Sequence, residues 1–234
     1  MTKTTEMNTD KRNEINEGNG IMEVVFILDR SGSMRGMEAD TIGGFNAMLE
    51  QQKKESDNVI WSTVLFDNEH KVIHNRLPID KVNPLTEEDY YVRGSTALLD
   101  AVGRAIRHIV RCHKYGRRED VPQKTLFVIT TDGMENSSRE YNYRKVKQMI
   151  EWEKEKYGWE FMFLGANIDA EEVASRIGID ESRAATYIND GEGIRRNYEA
   201  FSGTMVRMSR MEAYDPTCLD RVREDFPRRG GKKR

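Results

Sequence analysis

Val24-Val25-Phe26-Ile27-Leu28-Asp29-Arg30-Ser31-Gly32-Ser33 runs five apolar residues directly into a short polar loop. The apolar part does not alternate and is rich in β-branched and aromatic residues. Such a run suits a strand buried on both faces, as at the centre of a parallel sheet covered by helices. Working outward, Leu126-Phe127-Val128-Ile129 and Phe161-Met162-Phe163-Leu164 repeat the pattern, and each also ends in turn-forming residues. Three buried-strand signals separated by helical periodicity predict an α/β domain with a doubly wound sheet.

The intervening segments fill in that plan. Ile42, Phe45, Met48 and Leu49 keep helical spacing over about 38–55, although Gly43-Gly44 weakens the helix. Residues 59–66 and 70–77 read as strands joined at Asp67-Asn68-Glu69, an antiparallel hairpin that supplies the edge of an otherwise parallel sheet. From Ala97, the residues Leu98, Ala101, Val102, Ala105, Ile106, Ile109 and Val110 form one broad apolar helical face. A further helix is expected at about 141–156. Asp169 can cap a short helix, a weak strand covers 184–188, and Asp190 can cap a helix carrying Ile194, Tyr198, Phe201, Met205 and Met208. The fold class is therefore a mostly parallel, Rossmann-like sheet with one antiparallel edge strand and helices on both faces. The domain spans 21–210, with no internal repeat.

The remainder reads as tails. Residues 1–20 hold almost nothing to bury and are expected to be a flexible arm; after about Glu212 the pattern stops, so 211–234 is expected to be a flexible, basic tail. With 234 residues, 37% hydrophobic and 33% charged, the chain suits one polar-surfaced domain. A net charge of -3 argues against nucleic acid as a general partner, and the basic ending reads as a solubilising tail before an RNA contact. The first 20 residues lack the apolar core of a secretory leader, and no stretch is apolar enough to cross a membrane, so a cytoplasmic protein is expected. Cys112 and Cys218 stand alone, which disfavours a disulfide framework or a structural zinc.

The chemistry lies at the strand ends. In doubly wound sheets, ligands bind beyond the carboxyl ends of the strands, near the switch point. There the chain places Asp29, Ser31 and Ser33, then Gly94-Ser95-Thr96 before the strongest helix, then Asp132-Gly133 after the second buried strand. Three hydroxyls and two carboxylates, without sulfur or imidazole, suit a hard divalent cation: magnesium, manganese or calcium. Two carboxylates about neutralise such an ion, leaving a position for a carboxylate from outside.

Asp29-x-Ser31-x-Ser33, Thr96 and Asp132 resemble the metal-ion-dependent adhesion site of von Willebrand factor A domains, over about residues 21–210. The resemblance implies direct metal ligation by Ser31, Ser33 and Thr96, with Asp29 and Asp132 acting directly or through water. Phe163 to Asp169 is similar to a subgroup of small stand-alone bacterial members. A metal-dependent module capturing an Asp or Glu of a protein partner, and not an enzyme, is the function implied.

Each residue also has an ordinary reading. Ser31, Ser33 or Thr96 could cap a helix, and Asp132-Gly133 could be a turn. Asp100, one helical turn after Thr96, could steady the site or be a surface aspartate. Arg30 and Arg93 flank the loops and could meet an acidic partner or be solvated, and Glu135 and Asn136 could be rim contacts or a helix start. The four histidines show no ligand spacing. Two other functions use the same site. A metal-dependent phosphatase or hydrolase would need a second acid where Ser31 stands, and no phosphate loop is present. A non-catalytic subunit of an ATPase, kinase or stress-response assembly differs only in its partner.

Overall fold

The structure, a computed structural model, describes residues 19–56 and 58–232. In chain order the elements are β1 (Met22–Asp29), α1 (Glu38–Glu55), β2 (Val59–Phe66), β3 (His70–Pro78), α2 (Leu98–Tyr115), β4 (Lys124–Thr131), α3 (Tyr143–Tyr157), β5 (Glu160–Ala166), α4 (Ala170–Arg176), β6 (Ala184–Tyr187), α5 (Gly191–Ser209) and α6 (Asp220–Arg228). The strands form one sheet in the order β3-β2-β1-β4-β5-β6. All neighbours pair in parallel except β2 and β3, which form the expected antiparallel edge.

Every residue of β1 is buried, and its side chains divide between two cores. Met22, Val24, Phe26 and Leu28 face the layer of α1 and α5, whereas Val25 and Ile27 face α2, α3 and α4. In the first core Phe26 stacks on Trp61 and Tyr198 and meets Phe45 and Phe201 edge-on. Burying each large apolar side chain contributes roughly 1.5–3 kcal/mol. The glycines that weaken α1 on propensity have a packing reason at Gly44: a Cβ there would lie 2.3 Å from the ring of Tyr198 on α5.

The chain leaves β1 toward β2 on one side, and β4 leads to β5 on the other. The switch point therefore lies between the carboxyl ends of β1 and β4, where Asp29 and Asp132 stand.

The ends of the chain differ from expectation where they are described. Residues 1–18 of the expected arm lie outside the described residues. Asn19 is tied down: its side chain donates to the carbonyls of Glu119 and Val121 and accepts from the Ile21 N–H. The tail expected over 211–234 is replaced by structure as far as Arg229. Leu219 and Val222 sit in the first core at 0% and 2% exposure, and Arg223 donates to the carbonyls of Ser182 and Ala184. Two basic residues near its end are internally paired, Arg228 with Asp225 and Arg229 with Asp190 and Asp225. Too few apolar residues in a charged, proline-containing stretch hide this helix from a periodicity reading.

Candidate metal centre

Three loops at the switch point are laced together by their backbones. Gly32 N donates to the Gly94 carbonyl (3.1 Å), Arg93 N to the Arg30 carbonyl (2.9 Å) and Asn136 N to the Thr96 carbonyl (3.0 Å). This brings Asp29, Ser31, Ser33, Thr96 and Asp132 into one cluster. Ser31 Oγ lies 3.1 Å from Ser33 Oγ and 3.0 Å from Thr96 Oγ1. A Cβ added to Gly133 would stand 3.1 Å from Thr96 Oγ1 and 3.2 Å from Ser33 Oγ, so any side chain there would crowd the hydroxyls. Ser33 is exposed, whereas Asp29, Ser31, Thr96 and Asp132 are buried. The cluster thus opens to solvent on one side.

Capping does not explain these hydroxyls. Thr96 precedes the cap position of α2, which Ala97 occupies without a side-chain bond. Two of the free N–H groups of that helix are satisfied from the loop after β4: Leu99 N donates to Glu135 Oε2 and Asp100 N to Ser138 Oγ. Asn136 Oδ1 accepts from Thr96 N. Ser31 makes no capping bond either. The Thr96 hydroxyl is left to face Ser31.

The two carboxylates are held by neutral donors. Asp29 Oδ1 accepts from Ser31 N (2.7 Å) and Oδ2 from Thr131 Oγ1 (2.6 Å), while Tyr90 Oη donates to the Asp29 carbonyl. Asp132 Oδ1 accepts from Asn167 Nδ2 and Oδ2 from Asn189 Nδ2. Burial pushes the Asp29 carboxyl above its ordinary range, against the opposing bonds from Thr131 and Ser31. Burial likewise lifts Asp132 to about 7, with the amide of Asn167 opposing and the charge of Asp29 adding to the rise. Among the described residues no Lys, Arg or His bonds either carboxylate.

Arg30 is not available to a partner in the way its position suggested, whereas Arg93 stays exposed although it is engaged within the chain. Arg30, 1% exposed, pairs with buried Asp67 at 2.8 Å, and Arg93 pairs with Asp67 at 2.9 Å and with Glu69. Asp100 accepts backbone N–H groups of Arg139, Glu140 and Tyr141 and so fixes the loop after β4. Burial pushes its carboxyl up, but these three donors outweigh that and hold it below the ordinary range. The histidines stand apart from the cluster; His113, for instance, bonds Glu23.

Thr131, Asn167 and Asn189 belong to the site and were missed in the sequence. The available signal was positional: Asn167 and Asn189 each follow the carboxyl end of a strand on this same sheet edge.

The donor set fits a divalent cation. Neighbouring oxygens around an ion bound at roughly 2.0–2.1 Å in octahedral geometry lie about 3.0 Å apart. The two hydroxyl spacings, 3.1 and 3.0 Å, match that edge. No group of three or more His, Cys, Asp or Glu side chains placed to hold a metal occurs among the described residues.

Comparison with protein-family models and with curated protein sequences finds no match. Solved structures are similar in fold. The PilB minor pilin from Streptococcus sanguinis aligns with a TM-score of 0.57 at 14% identity, over 82% of this chain and 63% of the pilin. The chain therefore spans less than two thirds of that protein. The manganese-loaded TRAP protein of Plasmodium vivax gives 0.56 at 15% identity, over 79% of this chain and 74% of TRAP. A von Willebrand factor type A protein from Catenulispora acidiphila gives 0.54 at 14% identity, over 80% of this chain and 42% of that one. Such identities carry the architecture and nothing finer: the chain has the fold of von Willebrand factor A domains.

Proposed function

We propose that the chain is a non-catalytic, metal-dependent protein-binding module. Asp29, Ser31, Ser33, Thr96 and Asp132 would hold the cation, and an Asp or Glu of a partner protein would complete the site. One observation carries this reading: two buried carboxylates, close enough that the charge of Asp29 raises the proton affinity of Asp132, share a cluster with three convergent hydroxyls, and among the described residues no protein cation bonds either acid. Burying charge without compensation is costly, and a divalent ion supplies the missing positive charge together with an exchangeable coordination position. The similarity in fold to a manganese-loaded protein agrees with a divalent ion.

Binding is favoured over catalysis by what surrounds the carboxylates. Their bonding partners are hydroxyls, amides and backbone N–H groups, with no His, Lys or Cys to move a proton. The partner's carboxylate would make a charge-assisted, chelator-sensitive contact.

Affinity purification with the chain as bait, in magnesium or in EDTA and with Asp29→Ala in parallel, tests the proposal. Partners retained in magnesium and lost under both other conditions support it. Retention unaffected by EDTA and by the substitution overturns it, as does metal-dependent hydrolysis of an aryl phosphate that Asp29→Asn abolishes.

A further inference from the structure

Asp132 differs from Asp29 in what grips it. Asp29 is bonded by its own loop and by Thr131, all within β1, β4 and their turns. Asp132 is bracketed from two more distant strand ends, one amide on each carboxylate oxygen. Asn167, just past β5, donates to Oδ1; Asn189, just past β6, donates to Oδ2.

Two details set these asparagines apart from ordinary loop residues. Asn167 holds a left-handed backbone, φ +56°, a conformation asparagine tolerates better than most residues. Among the described residues Asn189 Oδ1 is buried without a partner, and the side chain's one hydrogen bond there runs to Asp132. A buried amide oxygen left unpaired is costly. The arrangement therefore favours the Asp132 contact over satisfying Asn189 itself.

We infer that Asn167 and Asn189 are positioning residues for cation binding, acting through Asp132. A carboxylate bonded on one oxygen can still turn about its last torsion; bonded on both, it cannot. The bracket fixes the plane of Asp132 before an ion arrives and leaves the remaining lone pairs of both oxygens free. Without it the carboxylate would have to be ordered on binding. Orienting partners of this kind typically contribute 10–100-fold to metal affinity. The two amides also tie the metal loop to β5 and β6, so the whole right half of the sheet supports the site.

The inference rests on the metal-binding reading, and the test separates the two. Mn2+ uptake by the full chain is measured by electron paramagnetic resonance of the free ion, for wild type, Asp29→Ala, Asn167→Gly and Asn189→Ala. Glycine keeps the left-handed backbone at 167, and melting without metal confirms that each variant is folded. Each asparagine variant is expected to weaken Mn2+ binding about tenfold. The double variant is expected to lose less than the product of the two, because both act on one carboxylate. A purely structural role is excluded in the Asp132→Ala background, where neither asparagine substitution is expected to change what binding remains; an equal loss there overturns the inference. Undiminished binding by both single variants also overturns it while leaving the metal site standing. No Mn2+ uptake by the wild type brings down both.

Discussion

β1 carries a buried acid near each end, and the two are treated in opposite ways. Glu23, at 0% exposure, pairs with Arg76 at 2.6 Å and bonds His113 at 2.5 Å. Asp29, at 0% exposure six residues on, has hydroxyl and backbone donors only. The difference does not come from the edge of the sheet at which Asp29 sits. Asp67, on the neighbouring strand end, is equally buried and has both Arg30 and Arg93. The fold thus has cations at hand beside the cluster and places them on Asp67. Where a buried carboxylate serves only the fold, it is neutralised from within. Where it is left without a cation, neutral donors and a raised proton affinity hold it, and on the proposed function the compensating charge comes from outside.

The comparison breaks most visibly if the two ends are stripped in turn. Glu23→Ala leaves Arg76 and His113 facing each other without their acid. Removing one member of a buried ionic group costs about 3–5 kcal/mol, a drop in Tm on the order of 10 °C for a chain of this size. Asp29→Asn in metal-free buffer removes a charge the fold does not compensate, and Tm is expected to change by only a few degrees in either direction. Calorimetry of both variants in EDTA decides; equal losses would dissolve the distinction.

The pH dependence sharpens it. Asp132 has a folded proton affinity raised to about 7 from 3.8. Between those values the folded state binds more protons at this residue than the unfolded state does. Its contribution therefore destabilises the metal-free fold progressively as pH rises from about 4 to about 7, by at most about 1.4 kcal/mol per pH unit. Other groups titrate in the same window, so the measurement is a difference. Relative to Asp132→Asn, wild type in EDTA should lose stability on going from pH 5 to pH 7, and saturating metal should abolish the loss. A wild type that gains stability relative to the variant over that range would contradict the reading of Asp132 as an uncompensated acid.

How much of this was visible in the sequence follows from the range of the interactions involved. β1, the hairpin edge and the cap residues Asp169 and Asp190 are local signals, and each appears where the pattern placed it. The five proposed oxygen ligands could be picked out because polar residues stand directly after β1 and β4 and directly before α2. Their ordinary reading as caps could not be dismissed from sequence, since capping and metal ligation draw on the same residue types. What dismisses it at Thr96 is non-local: Glu135 and Ser138 satisfy α2 from about 36 residues away. Arg30 misled for the same reason, because its partner Asp67 lies 37 residues further on. Asn167 and Asn189 were invisible as site residues because asparagine after a strand is ordinary turn chemistry.

Adding the cation should erase part of the contrast between the two ends of β1. At a magnesium or manganese concentration 100 times Kd, ligand binding stabilises the fold by about 2.7 kcal/mol, a rise in Tm of roughly 5–10 °C. EDTA should reverse the rise and Asp29→Ala should prevent it, whereas the Glu23→Ala protein, destabilised at the far end, should still show it. A Tm indifferent to divalent ions at millimolar concentration would remove the reason for leaving Asp29 and Asp132 without protein cations.

The smallest expected change is the most selective. Ser33 is exposed, and among the described residues its hydroxyl has one partner, Ser31 Oγ at 3.1 Å. Ser33→Ala is therefore expected to move metal-free Tm by no more than an ordinary surface substitution does, within about 0.5 kcal/mol. It nevertheless deletes one of three converging oxygens on the open side of the cluster. The metal-induced rise in Tm at a fixed, subsaturating manganese concentration should shrink clearly while the metal-free baseline stays in place. If Ser33→Ala instead lowers the baseline and leaves the rise intact, the hydroxyl serves the loop and not an ion. The open end of β1 would then be a structural cluster like the closed one, held together by hydrogen bonds instead of ion pairs.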